Sequence, residues 1–484
     1  MKRTNSVKTL ILLLLICCMI PACKLIKNDK KPNIVFFLVD DMGWKDIGAN
    51  GSSFYETPHI DGLASEGVRF TQAYAASPVC SPTRASIMTG KNPGRINLTQ
   101  FIGGRGNPDY LRNLPLEEVL FPELLKDAGY RNIFLGKWHL NNREGEGEFW
   151  PDKQGFDINI GGHWRGGLYI PNQYFSPWDI PNLTNGPEGE YITDRLANEA
   201  IDFIDENSED PFLLYLSFYQ VHAPFCAPEE RLKKYKDKRE NLGLSDKERF
   251  GQDQVADRTV EYRKIQDHPT YAAMVESTDM AVGKVLDKLK ETGIDDNTIV
   301  IFFSDNGGLS TSEGRPTANT PLRAGKGWLY EGGIREPAII RWPGEAEEGR
   351  VTDAVITSMD FYPTILEMVG LPLRPDLHKD GLSLVSILKN KVDKVRDECY
   401  FHYPHISNQG GRPSSAVRDG DYKLICFLND NRLELYDIRN DIGETTNLAN
   451  ERPELRDSLY KKLQLWWDEV DATFPDGYTR LDSI

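Results

Sequence analysis

Residues 33–40 read NIVFFLVD, an uninterrupted apolar run that is rich in β-formers and ends in an acidic side chain. Four further runs have the same character: NIFLGKW (132–138), FLLYLSFY (212–219), TIVIFFSD (298–305) and PAIIRW (337–342). Strands that are covered on one face alternate apolar and polar residues, whereas continuous apolar runs are typical of a parallel sheet covered on both faces. The sequence therefore predicts a large central, mostly parallel sheet flanked by helices.

Helical patterns lie between these strand candidates. They are clearest at 192–207 and at 271–293, where Gly293 is expected to close the second helix. This alternation predicts a doubly wound α/β domain, and we expect it to span residues 32–394. The polar stretch 229–254 is predicted to be a solvated insertion.

The pattern changes from about residue 395 onwards. Short strand candidates with turn residues occupy 415–427 (SAVRDGDYKLICF) and 432–438 (RLELYDI), and a helical stretch covers 455–470. We expect residues 395–484 to form a smaller C-terminal α+β subdomain with a short antiparallel sheet.

Composition and charge exclude one class of partner. The 484 residues are 39% hydrophobic and 27% charged, which is ordinary for a folded enzyme, and the net charge is −16. No clustered block of Lys and Arg provides a nucleic-acid footprint, so we expect no nucleic-acid partner. If the substrate is an anion, the negative electrostatic field of the protein repels it, so the site must supply its own positive charge.

Polar side chains stand where the predicted strands end. Ligands of open parallel α/β sheets bind beyond the carboxyl ends of the strands. Asp40 and Asp41 end the first strand and Asp305 and Asn306 the fourth. These four oxygen donors suit Ca²⁺, or alternatively Mg²⁺, rather than zinc. Lys137 and His139 end the second strand, and His222 follows the third. Lys326 lies in the glycine-rich segment RAGKGWLYEGG (323–333).

The segment PVCSPTRASIMTG (78–90) contains a cysteine that requires its own explanation. Beyond residue 23 the chain has only four cysteines, at positions 80, 226, 399 and 426. Four cysteines in a chain of this length are not a disulfide framework. From the residues alone, Cys80 is a packing residue, half of a disulfide, a thiol nucleophile or the precursor of another group.

These segments resemble the type I sulfatases of the alkaline phosphatase superfamily. The stretch 78–90 is similar to the maturation signature of that family, and GYRNIFLGKWH (129–139) is similar to its second signature, although the family has Ser or Thr where Asn132 stands. The resemblance extends from PNIVFFLVDDMG (32–43) to ELYDIRNDIGETTNLA (434–449). It implies an alkaline-phosphatase-like fold for 32–394 and hydrolysis of sulfate esters.

The resemblance also implies a modified residue. In the family this cysteine is oxidised to formylglycine by a separate maturation enzyme, which would be a partner of this chain. One hydroxyl of the hydrated aldehyde would attack sulfur, and the other would later expel sulfate. The implied metal ligands are Asp40, Asp41, Cys80 as formylglycine, Asp305 and Asn306.

The resemblance also implies roles for the basic residues near the strand ends, and these roles agree with the negative charge of a sulfate ester. Lys137 and Lys326 would bind the sulfate, because sulfate-ester cleavage places negative charge on the sulfuryl oxygens. Arg84 would orient the diol. His222 would protonate the leaving oxygen, and His139 would accept the proton of the second hydroxyl.

The first 22 residues predict a signal peptide. A charged start precedes TLILLLLICCMI (9–20), an apolar run that is too short to span a bilayer as a mature helix. Cys23 follows a small residue, as at a bacterial lipoprotein cleavage site. We expect lipidation of Cys23, with ordinary secretion as the alternative. The implied location is the periplasm or the outer membrane of a bacterium, with membrane contact only through the lipid anchor.

Two segments that combine His, Arg and aromatic residues are candidate sugar contacts. They are GGHWRGGLY (161–169) and FHYPHISNQGGRP (401–413), and the candidate residues are His163, Arg165, His402 and His405. Export, and not the composition of these segments, favours a sulfated polysaccharide or a glycosaminoglycan-type oligosaccharide as substrate. A phosphatase or phosphodiesterase of the same superfamily, and a non-catalytic lipoprotein that binds sulfated glycans, stay open as alternatives.

Overall fold

The computed structural model describes residues 30–169 and 174–481, so the predicted signal peptide and Cys23 lie outside the described residues. The strands are β1 (Asn33–Val39), β2 (Val68–Tyr74), β3 (Arg131–Gly136), β4 (Ile158–Ile160), β5 (Phe212–Ser217), β6 (Phe250–Val255), β7 (Arg258–Arg263), β8 (Thr298–Ser304), β9 (Arg335–Arg341), β10 (Val351–Thr357), β11 (Glu398–Tyr403), β12 (Ser414–Asp419), β13 (Tyr422–Phe427) and β14 (Leu433–Asp437). The helices are α1 (Pro58–Glu66), α2 (Cys80–Thr89), α3 (Phe121–Asp127), α4 (Ile192–Asn207), α5 (Glu229–Asn241), α6 (Pro269–Glu291), α7 (Glu331–Ile334), α8 (Phe361–Met368), α9 (Val385–Leu388) and α10 (Pro453–Glu469).

An eight-stranded sheet in the order β10-β2-β9-β8-β1-β5-β3-β4 is the centre of the fold. Strand β1 pairs in parallel with β8 and β5, and β3 continues the parallel set. The predicted mostly parallel α/β sheet is confirmed. Strand β9 is the exception, because it runs antiparallel to both β8 and β2. Its continuous apolar run reflects its place inside the sheet and not its direction.

Both faces of this sheet are buried, as the continuous apolar runs predicted. Along β1, Val35 and Phe37 join one apolar cluster, whereas Ile34 and Phe36 join the other. This division follows from the two-residue period of a strand. Helices α1, α4 and α6 cover the first face, and α2, α3 and α8 cover the second. Gly293, at a φ of 69°, stands just past the end of α6.

The polar stretch 229–254 forms regular structure on the surface of the molecule. It contains helix α5, whose only fully buried side chain is Tyr235, and it enters the β6–β7 hairpin at Phe250. The predicted solvated insertion is therefore exposed, and it consists of a helix followed by the first strand of a hairpin. Tyr235 anchors the helix, because its ring packs against Phe54.

A four-stranded antiparallel sheet, β11-β12-β13-β14, forms the C-terminal part of the chain. One face, with Ala416 and Ile425, packs against Tyr330 and other residues from loops of the large sheet. The opposite face, with Val417 and Leu424, is covered by α10. The described residues from Pro32 onwards form one compact unit. Within the described residues, no helix is long and apolar enough to cross a membrane.

Candidate active site

The carboxyl ends of β1 and β8 bring four polar residues together. These strands are parallel and paired up to Val39 and Ser304, so the residues that follow them are neighbours. The Asp41 backbone N–H donates to Asp305 Oδ1 at 3.2 Å, and Asn306 Nδ2 donates to Asp41 Oδ1 at 2.8 Å. All four, including Asp40, are completely buried.

Cys80 lies next to this cluster, at the start of helix α2, which packs against the central sheet. It is the first residue of α2, is 3% exposed, and has its ligand atom within 4.8 Å of those of Asp40 and Asp305. Burial raises the pKa of the Cys80 thiol despite the nearby Lys137 and Lys326. A reactive cysteine requires a lowered pKa, so these surroundings do not favour a thiolate nucleophile. Cys80 forms no disulfide with the other described cysteines, Cys226, Cys399 and Cys426, so the disulfide interpretation has no support among the described residues.

The same cluster fits a divalent cation. Asp40 Oδ1 and Asn306 Oδ1 are buried oxygen atoms without a hydrogen-bond partner among the described residues. Buried polar atoms are costly to leave unpaired, and carboxylate and amide oxygens are ligands of hard cations. The group formed by Asp40, Cys80 and Asp305 can therefore bind a metal ion.

Three buried cations surround these carboxylates. Lys137 Nζ lies 2.6 Å from Asp40 Oδ2, and Lys326 Nζ lies 2.7 Å from Asp41 Oδ1. Arg84 Nε donates to Asp305 Oδ2 at 2.7 Å. Burial by itself would raise the pKa of Asp41, but Lys326, His222 and Lys137 together outweigh it and hold that pKa well below its usual range. The acidic chain thus supplies positive charge locally, as the sequence required for an anionic substrate.

Two histidines complete the group, and each has one ring nitrogen engaged by a carbonyl. His139 Nε2 lies 2.8 Å from the Ile102 carbonyl oxygen, and its Nδ1 lies 3.3 Å from Cys80 Sγ. His222 Nδ1 lies 2.5 Å from the Ala223 carbonyl oxygen. Since a carbonyl only accepts, the carbonyl-bound nitrogen carries the hydrogen in each ring. The other nitrogen is then free to exchange a proton.

Both imidazoles are neutral in this environment. Burial and the positive charge of Lys137 hold the pKa of His139 well below its usual range. Burial and Lys326 lower the pKa of His222 to about 3. With Nε2 hydrogen-bonded to the carbonyl, neutral His139 presents an acceptor at Nδ1 towards the side chain of residue 80.

A cavity of about 380 Å³ opens above this group. Its lining residues are Cys80, Phe101, His139, Tyr169, His222, Ala223, Pro224, Glu313, Lys326, Asn408 and Gln409. Sequence reasoning named the stretches that contain Tyr169, Asn408 and Gln409, but not these residues. Glu313, whose Oε1 accepts a hydrogen bond from Gln409 Nε2, was missed because no pattern marks its segment.

Four residues predicted to contact sugar do not line this cavity. His402 is buried between Ser415 Oγ and the Thr473 carbonyl oxygen, at 2.6 and 2.7 Å, so neither ring nitrogen is available to a substrate. His405 is buried, with Nε2 2.9 Å from Thr99 Oγ1. These two histidines hold the protein's own loops.

The other two residues lie in the 161–169 loop. His163 is buried, with Nδ1 accepting from the Arg165 backbone N–H at 3.0 Å and Nε2 3.2 Å from the Tyr219 hydroxyl. The Arg165 guanidinium pairs with Asp179 at 2.7 Å. Asn132, the departure from the family signature, donates to the carbonyls of Pro122 and Gly155 at 2.7 and 2.8 Å, so it ties β3 to neighbouring loops.

Fold and site together define an α/β protein with a cation-rich pocket that can bind a metal ion and an anion. A Sulfatase family model matches residues 32–371, and a model described as N-sulphoglucosamine sulphohydrolase, C-terminal, matches residues 324–468. The chain belongs to the sulfatase family and is a sulfuric ester hydrolase.

Several known proteins are similar over most of their length. N-acetylgalactosamine-6-sulfatase of Mus musculus is 35% identical over 460 residues, covering 88% of this chain and 79% of that protein. A sulfatase of Formosa agariphila is 32% identical, covering 90% and 89%. The crystal structure of Ps i-CgsB in complex with k-i-k-neocarrahexaose matches with a TM-score of 0.74 at 29% identity, covering 93% of this chain and 95% of that one.

Proposed function

We propose that the protein hydrolyses sulfate esters on a sulfated carbohydrate, with residue 80 as formylglycine and with Ca²⁺ as the bound cation. The observation that carries this proposal is a buried, free Cys80 at the meeting point of Asp40 and Asp305, in a cavity that also contains hydrogen-bonding side chains. Relatives that are named for an amino sugar sulfate or crystallised with a carrageenan oligosaccharide support the carbohydrate as substrate.

The chain's own residues have distinct tasks in this reaction. When residue 80 is formylglycine, its hydrated aldehyde supplies one hydroxyl to attack sulfur and a second to expel sulfate as the aldehyde re-forms. A divalent cation would neutralise charge on the sulfate oxygens. Lys137 and Lys326 bind the sulfate, and Arg84, held by the Lys137 carbonyl and Ser217 Oγ at 2.7 Å each, orients residue 80.

Proton transfer is divided between the two histidines. His139 Nδ1 is an acceptor beside residue 80, so it takes the proton of the second hydroxyl. His222 Nε2 donates to the leaving alcohol oxygen. Since the pKa of His222 is about 3 in the protein alone, the negative charge of bound sulfate has to raise it before His222 acts as an acid.

Export and maturation belong to the same proposal. Residues 1–22 act as a signal peptide and Cys23 carries lipid, which places the enzyme in the periplasm or on the outer membrane. A separate formylglycine-generating enzyme modifies Cys80 in the cell. Membrane contact is limited to the lipid anchor.

Mass spectrometry of residue 80 tests the central step. In protein produced together with a formylglycine-generating enzyme, the peptide that contains residue 80 should be about 18 Da lighter than its cysteine form. Cys80→Ala should abolish sulfate release from 4-nitrophenyl sulfate and from chondroitin and carrageenan oligosaccharides. The matched control Cys226→Ala removes another free thiol and should stay active. Full activity with an unmodified Cys80 thiol would contradict the proposal.

Metal removal tests the cation. Chelation with EDTA should abolish activity, and Ca²⁺ should restore it better than Zn²⁺, because all the proposed ligand atoms are oxygens once residue 80 is formylglycine. Asp305→Ala should lose bound metal and activity together, as measured by elemental analysis. Metal retained at wild-type stoichiometry in Asp305→Ala would mean that the ion binds elsewhere.

A further inference from the structure

A second and larger cavity adjoins the reactive one. Its volume is about 910 Å³, compared with about 380 Å³ for the cavity above Cys80, and Asn408 lines both. The lining residues of the larger cavity are Gly103, Gly104, Arg105, Gly106, Asn107, Ile406, Asn408, Pro413, Leu428, Asn429, Pro475, Asp476, Gly477 and Tyr478. Asn408 is therefore the residue at which the two cavities adjoin.

The same two loops form the walls of both cavities. The first loop contributes Phe101 to the reactive cavity and 103–107 to the larger one, and the second contributes Gln409 to the reactive cavity and Ile406 to the larger one. The loops are fastened to each other: Thr99 Oγ1 lies 2.9 Å from His405 Nε2, and the Tyr403 hydroxyl donates to Gln100 Oε1 at 2.8 Å. The two cavities are thus held in a fixed relation, which lowers the ordering cost of a ligand that spans them.

The larger cavity presents polar groups that the protein itself does not use. The side chains of Arg105, Asn408 and Asn429 have no hydrogen-bond or ion-pair partner within 30–169 and 174–481. Its ionised groups are one cation, Arg105, and one anion, Asp476, so it has no excess of either charge. Amides, a guanidinium and a carboxylate that are free to bond suit a polyhydroxylated ligand better than a second dense anion.

We propose that the larger cavity binds the sugar unit next to the sulfated one, so that the substrate is a sulfated oligosaccharide or polysaccharide that crosses Asn408. This inference rests on the proposed carbohydrate sulfatase function and extends it to the length of the substrate. Arg105 and Asn429 bind hydroxyls of the neighbouring unit. A monosaccharide sulfate or an aryl sulfate occupies only the reactive cavity.

Substrate length is the variable that tests this site. Release of the first sulfate is measured for chondroitin 6-sulfate and κ-carrageenan oligosaccharides of two, four and six units, with 4-nitrophenyl sulfate as the short reference. We expect kcat/KM to rise about tenfold or more with length in at least one series. Arg105→Ala and Asn429→Ala should each reduce that rise several-fold, since one hydrogen bond is worth about 0.5–1.5 kcal/mol. Arg439→Ala, at an exposed arginine outside both cavities, is the charge-matched control and should keep the full rise.

The other possible results of this experiment distinguish failure of the sugar site from failure of the proposed function. Sulfate release with the same kcat/KM at every length would overturn the larger cavity as a sugar site and leave the proposed function standing. A rise with length that both variants keep would also overturn the assignment. Hydrolysis of 4-nitrophenyl sulfate without release from any oligosaccharide would contradict the carbohydrate function itself. Melting temperatures of the variants confirm that the comparison is between folded proteins.

Discussion

His139 and His222 are both buried and neutral, yet their free ring nitrogens have different surroundings. His139 Nδ1 lies 3.3 Å from Cys80 Sγ, whereas His222 Nε2 lies 3.8 Å from Asp41 Oδ2. The first is placed to accept a proton from residue 80. The second lies beside a carboxylate that favours its protonated form, with Lys326 opposing this effect. At the scale of single residues, these different neighbours assign the two histidines to different halves of the cycle.

Removal of His222 should depend on the leaving group. In His222→Ala, kcat for a sulfated sugar should fall by about 10²–10⁴-fold, the usual contribution of general acid catalysis. An aryl sulfate should be affected much less, since a phenolate leaves without a proton. Steady-state rates with a sulfated disaccharide and with 4-nitrophenyl sulfate measure the difference. Equal losses for the two substrates would show that His222 has another role.

The 161–169 loop is the element that confines both histidines. A Cβ atom added at Gly166 would lie 2.2 Å from His139 Cε1, and one added at Gly167 would lie 2.9 Å from His222 Nδ1. Real Cβ contacts are not this short, so the glycines are required by the close approach of the loop to the two rings. Loop 161–169 therefore acts on the site through shape, and not through the side chains of His163 and Arg165.

Gly166→Ala should therefore displace the His139 ring. The added atom would overlap the imidazole, so the ring has to leave its position beside the Ile102 carbonyl and residue 80. We expect kcat to fall at least tenfold and a covalent sulfated form of the enzyme to accumulate, as intact mass spectrometry would detect. Gly62→Ala in α1, where nothing lies within 4 Å of the added atom, is the matched control and should be fully active. Wild-type kcat in Gly166→Ala would disprove the positioning of His139 by this loop.

A buried ion cluster ties the C-terminal sheet to the rest of the molecule. Lys423 of β13 lies 3.0 Å from Glu331 Oε1 of α7 and 2.9 Å from Glu444 Oε1. Burial raises the pKa of Glu444 to about 7, although Lys423 opposes the shift. A raised native pKa means that the stability contributed by Glu444 is complete below its ordinary pKa of 4.5 and is lost as the pH rises through 7.

Lys423→Met should therefore destabilise the whole protein in a pH-dependent way. Removing one partner of a buried ion pair costs about 3–5 kcal/mol, because the remaining charge stays buried. The substitution should lower the melting temperature more at pH 8 than at pH 5. At pH 5 Glu444 is protonated and needs no positive partner. Lys462→Met removes a more exposed pair with Glu398 and Asp419, and should cost about 1 kcal/mol or less. If both variants lowered the melting temperature equally at both pH values, the buried ion cluster would contribute no more to stability than the exposed pairs of Lys462.

The sequence by itself determined the mostly parallel sheet and the cluster at its edge. Five continuous apolar runs predicted strands with both faces covered, and parallel neighbours bring the residues that follow them to one edge. Asp40, Asp305 and Lys137 therefore meet although they are far apart in the chain, and Lys326 joins them from the connection between β8 and β9. Local patterns suffice here because strand period and strand-end position are properties of short segments.

Only the tertiary structure decided which loop residues line the cavities and which strand reverses direction. Glu313 and Gln409 meet across 96 positions of the chain, and His402 and His405 turn inward to hold loops. Strand β9 is buried along its whole length, as β1 and β8 are, so the apolar run that it contributes reflects burial and not strand direction. A loop side chain takes its contacts from packing between distant segments. No local period or spacing in the sequence records that packing.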